Sequence, residues 1–354
     1  GTTALAWLLH PVQTPADLAI SLPNSFRHQV DIDADLADLA QRSDHCIEIQ
    51  PLPATTAGMT EAPNSPATAE LTPAVFSGRI ATDWRITSFS GLTRDIHQTA
   101  HGGSPRSGKD PVLDFPAGSH VGLFLHLLLE QLDFQGDIER QSSELTNELA
   151  ARFNLDADQV RDTVVQWVRN MVDTPMNPQG LCLHGLSGEQ RLNELEFDLS
   201  VHSVDIDALN QVLDSAAGQS LENIAVEQFR GMVNGIIDLV FEYQGKFYIA
   251  DYKSNFLGGS LDDYQPDRLR QAVFDRRYDL QYLLYTLAVH RYLRQRLDNY
   301  RYSEHFGGVY YLFLRGMRPE HGPACGVFHD RPGEQLIEQL DSELFGTEGL
   351  EASA

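Results

Sequence analysis

Residues 235–255 read GIIDLVFEYQGKFYIADYKSN. Two runs of branched and aromatic residues flank Gln244-Gly245, a dipeptide suited to a two-residue hairpin turn because glycine supplies positive φ. If Tyr243 pairs with Lys246, paired residues have numbers summing to 489, and Asp238 and Asp251 form one such pair. The two carboxylates then lie directly across from one another on one face, about 5 Å apart at Cβ. Lys253, two positions beyond Asp251, projects to that same face. An otherwise apolar hairpin thus carries two acids and a base together.

Opposed carboxylates in an apolar sheet repel, so either one holds a proton or a cation sits between them. A hard divalent ion such as Mg²⁺ suits oxygen ligands and keeps water in its remaining positions. A lysine beside it can orient or deprotonate water, or neutralise charge developing on a phosphate. The plainer reading of Asp-x-Lys on a strand is an exposed ion pair. The expected match between Asp238 and Asp251 favours a metal-dependent phosphodiesterase.

Working outward, the 354 residues exceed one typical domain. No run of eighteen apolar residues is present, so no membrane span is expected. The chain begins Gly1-Thr2-Thr3, without Met or a signal pattern, and reads as a piece of a longer chain. Cys46, Cys182 and Cys325 are scattered and odd in number, against a disulfide framework or zinc site and in favour of a cytoplasmic protein. The net charge of −24 argues against a free-standing nucleic-acid binder. Arg268, Arg270, Arg276, Arg277, Arg291, Arg294 and Arg296 nevertheless cluster, as a solvated helix face or as DNA contacts.

Residues 1–50 hold only short helix-like runs, and the Pro-, Ala- and Thr-rich segment 51–82 reads as a linker, leaving 83–354 as the main domain. Gly103 to Lys109 fits the GxxxxGK of a phosphate-binding loop. Asp110 stands where Ser or Thr is needed and no apolar strand precedes it, so that reading is rejected. Helices are expected over 121–132, 142–153, 157–172 and 278–297, and strands over 192–201, 229–243, 246–253 and 308–314. Helices on both sides of a mixed sheet make an α/β domain.

The GxID and DYK motifs, with WRITSFSGL at 84–92, DFPAGSHVGLFLHLLLEQLDF at 114–134, YDLQYLLYTLAVHRYL at 278–293 and HFGGVYYLFLRG at 305–316, resemble the PD-(D/E)xK nuclease superfamily in its RecB-type form. The likeness runs over about residues 84–345, and residues 1–50 look more loosely like the tail of a helicase portion. It implies a restriction-endonuclease-like α/β core with a mixed central sheet flanked by helices. It implies that Asp238, Asp251, His126 and the Tyr252 carbonyl bind one or two Mg²⁺ ions, with Lys253 catalytic. Glu194 matches the acid of the first core strand, and Gln281 and Tyr285 match a QxxxY motif, whose members share a helix face at i and i+4. Read without the resemblance, His126 is a packed or capping histidine, Glu194 faces solvent beside Glu196 and Asp198, and Gln281 and Tyr285 satisfy a helix–sheet interface.

The resemblance further implies a deoxyribonuclease of the exodeoxyribonuclease V type, acting on single-stranded or unwound linear DNA in double-strand-break repair. Its expected partners are RecC-like and RecD-like subunits and the RecA recombinase. Three scattered cysteines cannot hold the four-cysteine iron–sulfur cluster of some relatives, and the helicase ATP-binding motifs are missing, so neither a cluster nor ATP hydrolysis is expected. Two rival readings stand beside it: a nuclease-like docking module for a recombinase or partner subunit, and a metal-dependent phosphatase or RNA nuclease.

Overall fold

A computed structural model describes residues 84–88, 110–201, 206–221 and 230–345, with isolated positions at 37, 40, 41, 50 and 91. The chain divides into two compact units, 1–78 and 79–354; the fold below is that of the second. The expected helicase tail, the linker and the rejected phosphate loop at 103–109 lie outside the described residues, apart from those isolated positions.

Six strands form one mixed sheet: β1 (Trp84–Ser88), β2 (Arg191–Val201), β3 (Arg230–Tyr243), β4 (Lys246–Lys253), β5 (Phe306–Phe313) and β6 (Val327–Asp330). The β3–β4 hairpin has the register expected from its turn, from Tyr243 opposite Lys246 to Leu239 opposite Ala250. Gln244 and Gly245 both have positive φ, 53° and 77°, the two-residue turn whose twist suits a hairpin. β5 lies parallel to β4, β6 antiparallel to β5, and β2 antiparallel to β3. All eight residues of β5 are buried, as expected of a strand covered on both faces.

Along its other edge β3 has two neighbours in succession. β1 pairs in parallel with residues 230–234, and β4 with residues 239–243. Residues 235–238 fall between them, so the ladder forks there.

Among the described residues, eight helices flank or lead into the sheet. On one face lie α1 (Ser119–Gln131), α2 (Ile138–Leu149) and α3 (Ala157–Asp173), packed on Leu239, Phe241, Ala250, Tyr252, Tyr310 and Leu312. Asp137 and Asp156 cap α2 and α3, their side chains accepting from the backbone N–H of Arg140 and Asp158. The other face carries α4 (Ile206–Ala217), α5 (Pro266–Asp275), α6 (Tyr278–Arg296) and α8 (Glu334–Phe345) over Val233, Ile237, Ile249, Val309 and Tyr311. The short α7 (Tyr302–His305) leads into β5. α6 is buried almost all round, from Tyr278 to Leu293, because it runs between the sheet and its fellow helices. α4, α5, α8 and β6 add to the elements expected from sequence.

Candidate metal centre and active site

The site lies at the fork. Beyond Leu239 and Ala250 the hairpin strands part, and backbone pairing gives way to a side chain: the Tyr252 N–H donates to Asp238 Oδ2 at 2.7 Å. Asp238 and Asp251 are 9% and 3% exposed, so neither charge is dispersed by bulk water.

His126 approaches from α1. Its Nε2 donates to the Tyr252 carbonyl at 2.9 Å, and Nδ1 lies 3.4 Å from Asp238 Oδ1. Burial alone would lower the imidazole pKa, but the carboxylate of Asp238, with Asp251 behind it, pushes it up to about 9.

Glu194 reaches this point through a backbone distortion. On β2, Asn193 donates to the Glu130 carbonyl and Arg191 covers the Phe134 ring, both on the α1 side. Leu195, Phe197 and Leu199, of the same odd parity, pack into the opposite core. The strand therefore changes face at Glu194, whose φ is +51°. A non-glycine residue held there costs about 1–3 kcal/mol, and such strain clusters at functional sites. β3 shifts likewise across from it, Ile237 facing one core and Leu239 the other. Glu194, half-buried, meets His126 and Asp238 there, whereas Glu196 and Asp198 are exposed. Burial first, and then Asp238, raise its carboxyl pKa.

His126, Glu194 and Asp238 are, among the described residues, a set whose ligand atoms all lie within 4.8 Å of one another. Asp251 stands beside this set and engages Lys253 in a buried ion pair, with Nζ 2.7 Å from Oδ2. That buried Oδ2 has no hydrogen-bond partner. Burial, opposed by Lys253 and reinforced by Asp238, lifts the Asp251 carboxyl to about 6. One imidazole, carboxylates and a backbone carbonyl form a donor set that fits a hard divalent ion.

Lys253 is fixed from several sides. Nζ donates to Gln281 Oε1 at 2.8 Å and lies 3.9 Å and 4.7 Å from the ring centres of Tyr278 and Tyr311. Gln281 passes the arrangement on, accepting from the Tyr311 hydroxyl and donating to that of Tyr285, both at 2.8 Å. Burial would lower the ammonium pKa; Asp251 outweighs it, and the lysine is held charged. Tyr278 and Tyr311 escaped the sequence reading. Their signals were available: Tyr278 is one helical turn before Gln281, and Tyr311 is the β5 residue opposite Asp251.

The structure thus gathers Asp238, Asp251, Lys253, His126, Tyr252, Glu194, Gln281 and Tyr285 at one fork. The sequence profile of the PD-(D/E)XK nuclease superfamily matches residues 100–347. The chain belongs to this superfamily. As a superfamily member it is a metal-dependent nuclease, and the mixed sheet flanked by helices is the superfamily fold. Over 295 residues it is 36% identical to RecBCD enzyme subunit RecB of Haemophilus influenzae, covering 75% of this chain and 24% of that protein. The Escherichia coli subunit of the same name is 38% identical over 307 residues, 81% of this chain and 25% of the relative. That of Mycobacterium tuberculosis is 30% identical over 323 residues, 76% and 29%. The chain spans about a quarter of the length of these curated relatives.

Proposed function

We propose that this chain is the DNA-cleaving part of a RecB-like helicase–nuclease subunit, using Mg²⁺ to hydrolyse phosphodiester bonds. The observation that carries the reading is the set His126, Glu194 and Asp238 placed against a buried Asp251–Lys253 pair. Asp238, Asp251, His126 and the Tyr252 carbonyl hold the ion, with Glu194 completing or tuning the set. When bound, the ion supplies Lewis acidity at a phosphoryl oxygen and lowers the pKa of water. Lys253, kept charged, faces the charge that develops on the phosphate and helps orient the attacking water. Gln281, Tyr278 and Tyr311 keep Nζ on one line, since three fixed partners remove the freedom of its four-carbon stem. Tyr285 steadies Gln281, whose amide donates to its hydroxyl.

The relatives' name supports placing the chain in an assembly with RecC-like and RecD-like subunits; degradation of linear DNA in double-strand-break repair, with the RecA recombinase as a further partner, belongs to the same proposal. A docking module without chemistry has no use for a buried lysine set against the two carboxylates Asp251 and Asp238. Substituting Asp251→Ala tests the reading. Loss of Mg²⁺-dependent cleavage of single-stranded DNA, with an unchanged circular dichroism spectrum, is expected; undiminished cleavage overturns it. Parallel assays on RNA and a phosphate monoester separate the nuclease from its rivals.

A further inference from the structure

The clustered arginines fall into two groups in the structure. Arg277 is fully buried against Asp279, with Nε 3.1 Å from Oδ1. Arg291 and Arg294 share Asp341 at 3.2 Å and 3.7 Å. Arg270 lies over Phe274 and Arg296 over Tyr292. These five have structural work. Arg268 and Arg276 have, among the described residues, no acidic partner and no ring beneath them.

Both line a groove of about 1130 Å³, walled by Gly118 and Ser119 on one side and Ser254 and Asn255 on the other. Its two carboxylates are already engaged. Asp263 accepts from the Ser260 N–H at 3.0 Å, and Asp275 from the Gln271 amide at 2.5 Å.

The groove leads to the metal centre. Ser254 and Asn255 directly follow Lys253, and Asn255 accepts from the hydroxyl of Tyr278, the ring beneath Nζ. On α1, Gly118, Gly122 and His126 recur every four residues and share one face. Gly122 abuts Ser254 so closely that a Cβ would come within 2.8 Å of its hydroxyl. From Gly118 to His126 the helix rises about 12 Å, a short walk along a nucleotide chain. Beyond the centre the arginines stop: where the groove balances Arg268 and Arg276 against Asp263 and Asp275, a cavity of about 440 Å³ is lined by Glu196, Asp198, Gln281 and Tyr285 and, among the described residues, by no cation.

We propose that the groove carries the sugar–phosphate backbone of a single nucleic-acid strand to the metal centre, with Arg268 and Arg276 each contacting one phosphate. The strand is gripped from this side alone, since the acidic cavity repels it on the other. This inference rests on the nuclease reading.

The test uses the 354-residue chain and a labelled oligothymidylate. Binding is followed by fluorescence anisotropy in EDTA between about 50 and 200 mM salt, and Mg²⁺-dependent cleavage is measured alongside. Each single-strand phosphate contact contributes about 0.7 to the slope of log affinity against log salt, so the double variant R268A/R276A should lower the slope by about 1.4. Binding at low salt should weaken on the order of tenfold, with KM rising and kcat nearly unchanged. Replacing both by lysine should restore the slope. The charge-matched pair R140A/R301A, two exposed arginines engaged with Glu144 and Glu304, should leave it as in the wild type. An unchanged slope in R268A/R276A, or an equal fall in the R140A/R301A control, overturns the groove. Failure of the wild type to cleave overturns the nuclease reading instead, and the binding slopes still decide the groove.

Discussion

The β3–β4 hairpin has two ends built on opposite principles. At the turn, pairing is continuous from Tyr243–Lys246 to Leu239–Ala250, and Phe241 stacks on Tyr248 at 5.2 Å with Tyr310 beside them. Everything there is satisfied locally, by backbone bonds and apolar contact. At the fork, pairing stops and five charged or chargeable side chains take over, each depending on another. The closed end sets the register; the open end uses it. Damage should therefore appear as lost stability at one end and lost chemistry at the other.

The sharpest break should come from Asp251→Asn. It removes a ligand and the counter-charge of Lys253 while keeping shape, and we expect kcat to fall on the order of 1,000-fold. Steady-state cleavage together with thermal melting checks it; a large loss of folded protein in place of rate would erase the distinction. Phe241→Ala should do the converse, costing about 3–5 kcal/mol of stability. Urea denaturation measures the cost, and cleavage per folded molecule should stay normal.

A proton sharpens the contrast further. His126 holds its proton up to about pH 9, and a metal must displace it. Metal affinity should thus rise about tenfold per pH unit from 7 towards 9 and level off above. Titration calorimetry in buffers of different ionisation heat should show one proton released at pH 7.5, and His126→Ala should abolish that release. Glu194→Gly carries two opposite signs: relief of positive-φ strain gains about 1 kcal/mol of stability while the metal concentration needed for cleavage rises. The smallest effect belongs to the turn. Gly245→Ala, at φ 77°, should cost about 1 kcal/mol by melting with no change in kcat.

Much of this was legible in the amino-acid sequence, for reasons that differ by residue. The hairpin register follows from a two-residue turn, so the ladder from Tyr243–Lys246 to Leu239–Ala250 could be written before any coordinates, although it ends one pair short of Asp238 and Asp251. Long helices such as α3 and α6 announce themselves by length, and α3 also by its Asp156 cap. The placement of His126, Gln281 and Tyr285 came from resemblance, because nothing local tells a helix which strand it will face. The reversal of face at Glu194 was illegible: alternation predicts the wrong side, and only the pull of two neighbouring strands holds a glutamate at positive φ. The aromatic partners of Lys253 come from α6 and β5, far along the chain. The division of the arginines was equally hidden, since Asp341 and Arg291 are separated by fifty residues.

Counting outward from the hairpin tip has one more consequence. Asp238 lies five residues before Tyr243, and Asp251 five after Lys246, so the two arms act as matched rulers. One residue inserted into either arm would swing its carboxylate to the wrong side of the sheet. A residue added at Gln244-Gly245 or outside the arms should therefore be tolerated better than one added within either arm.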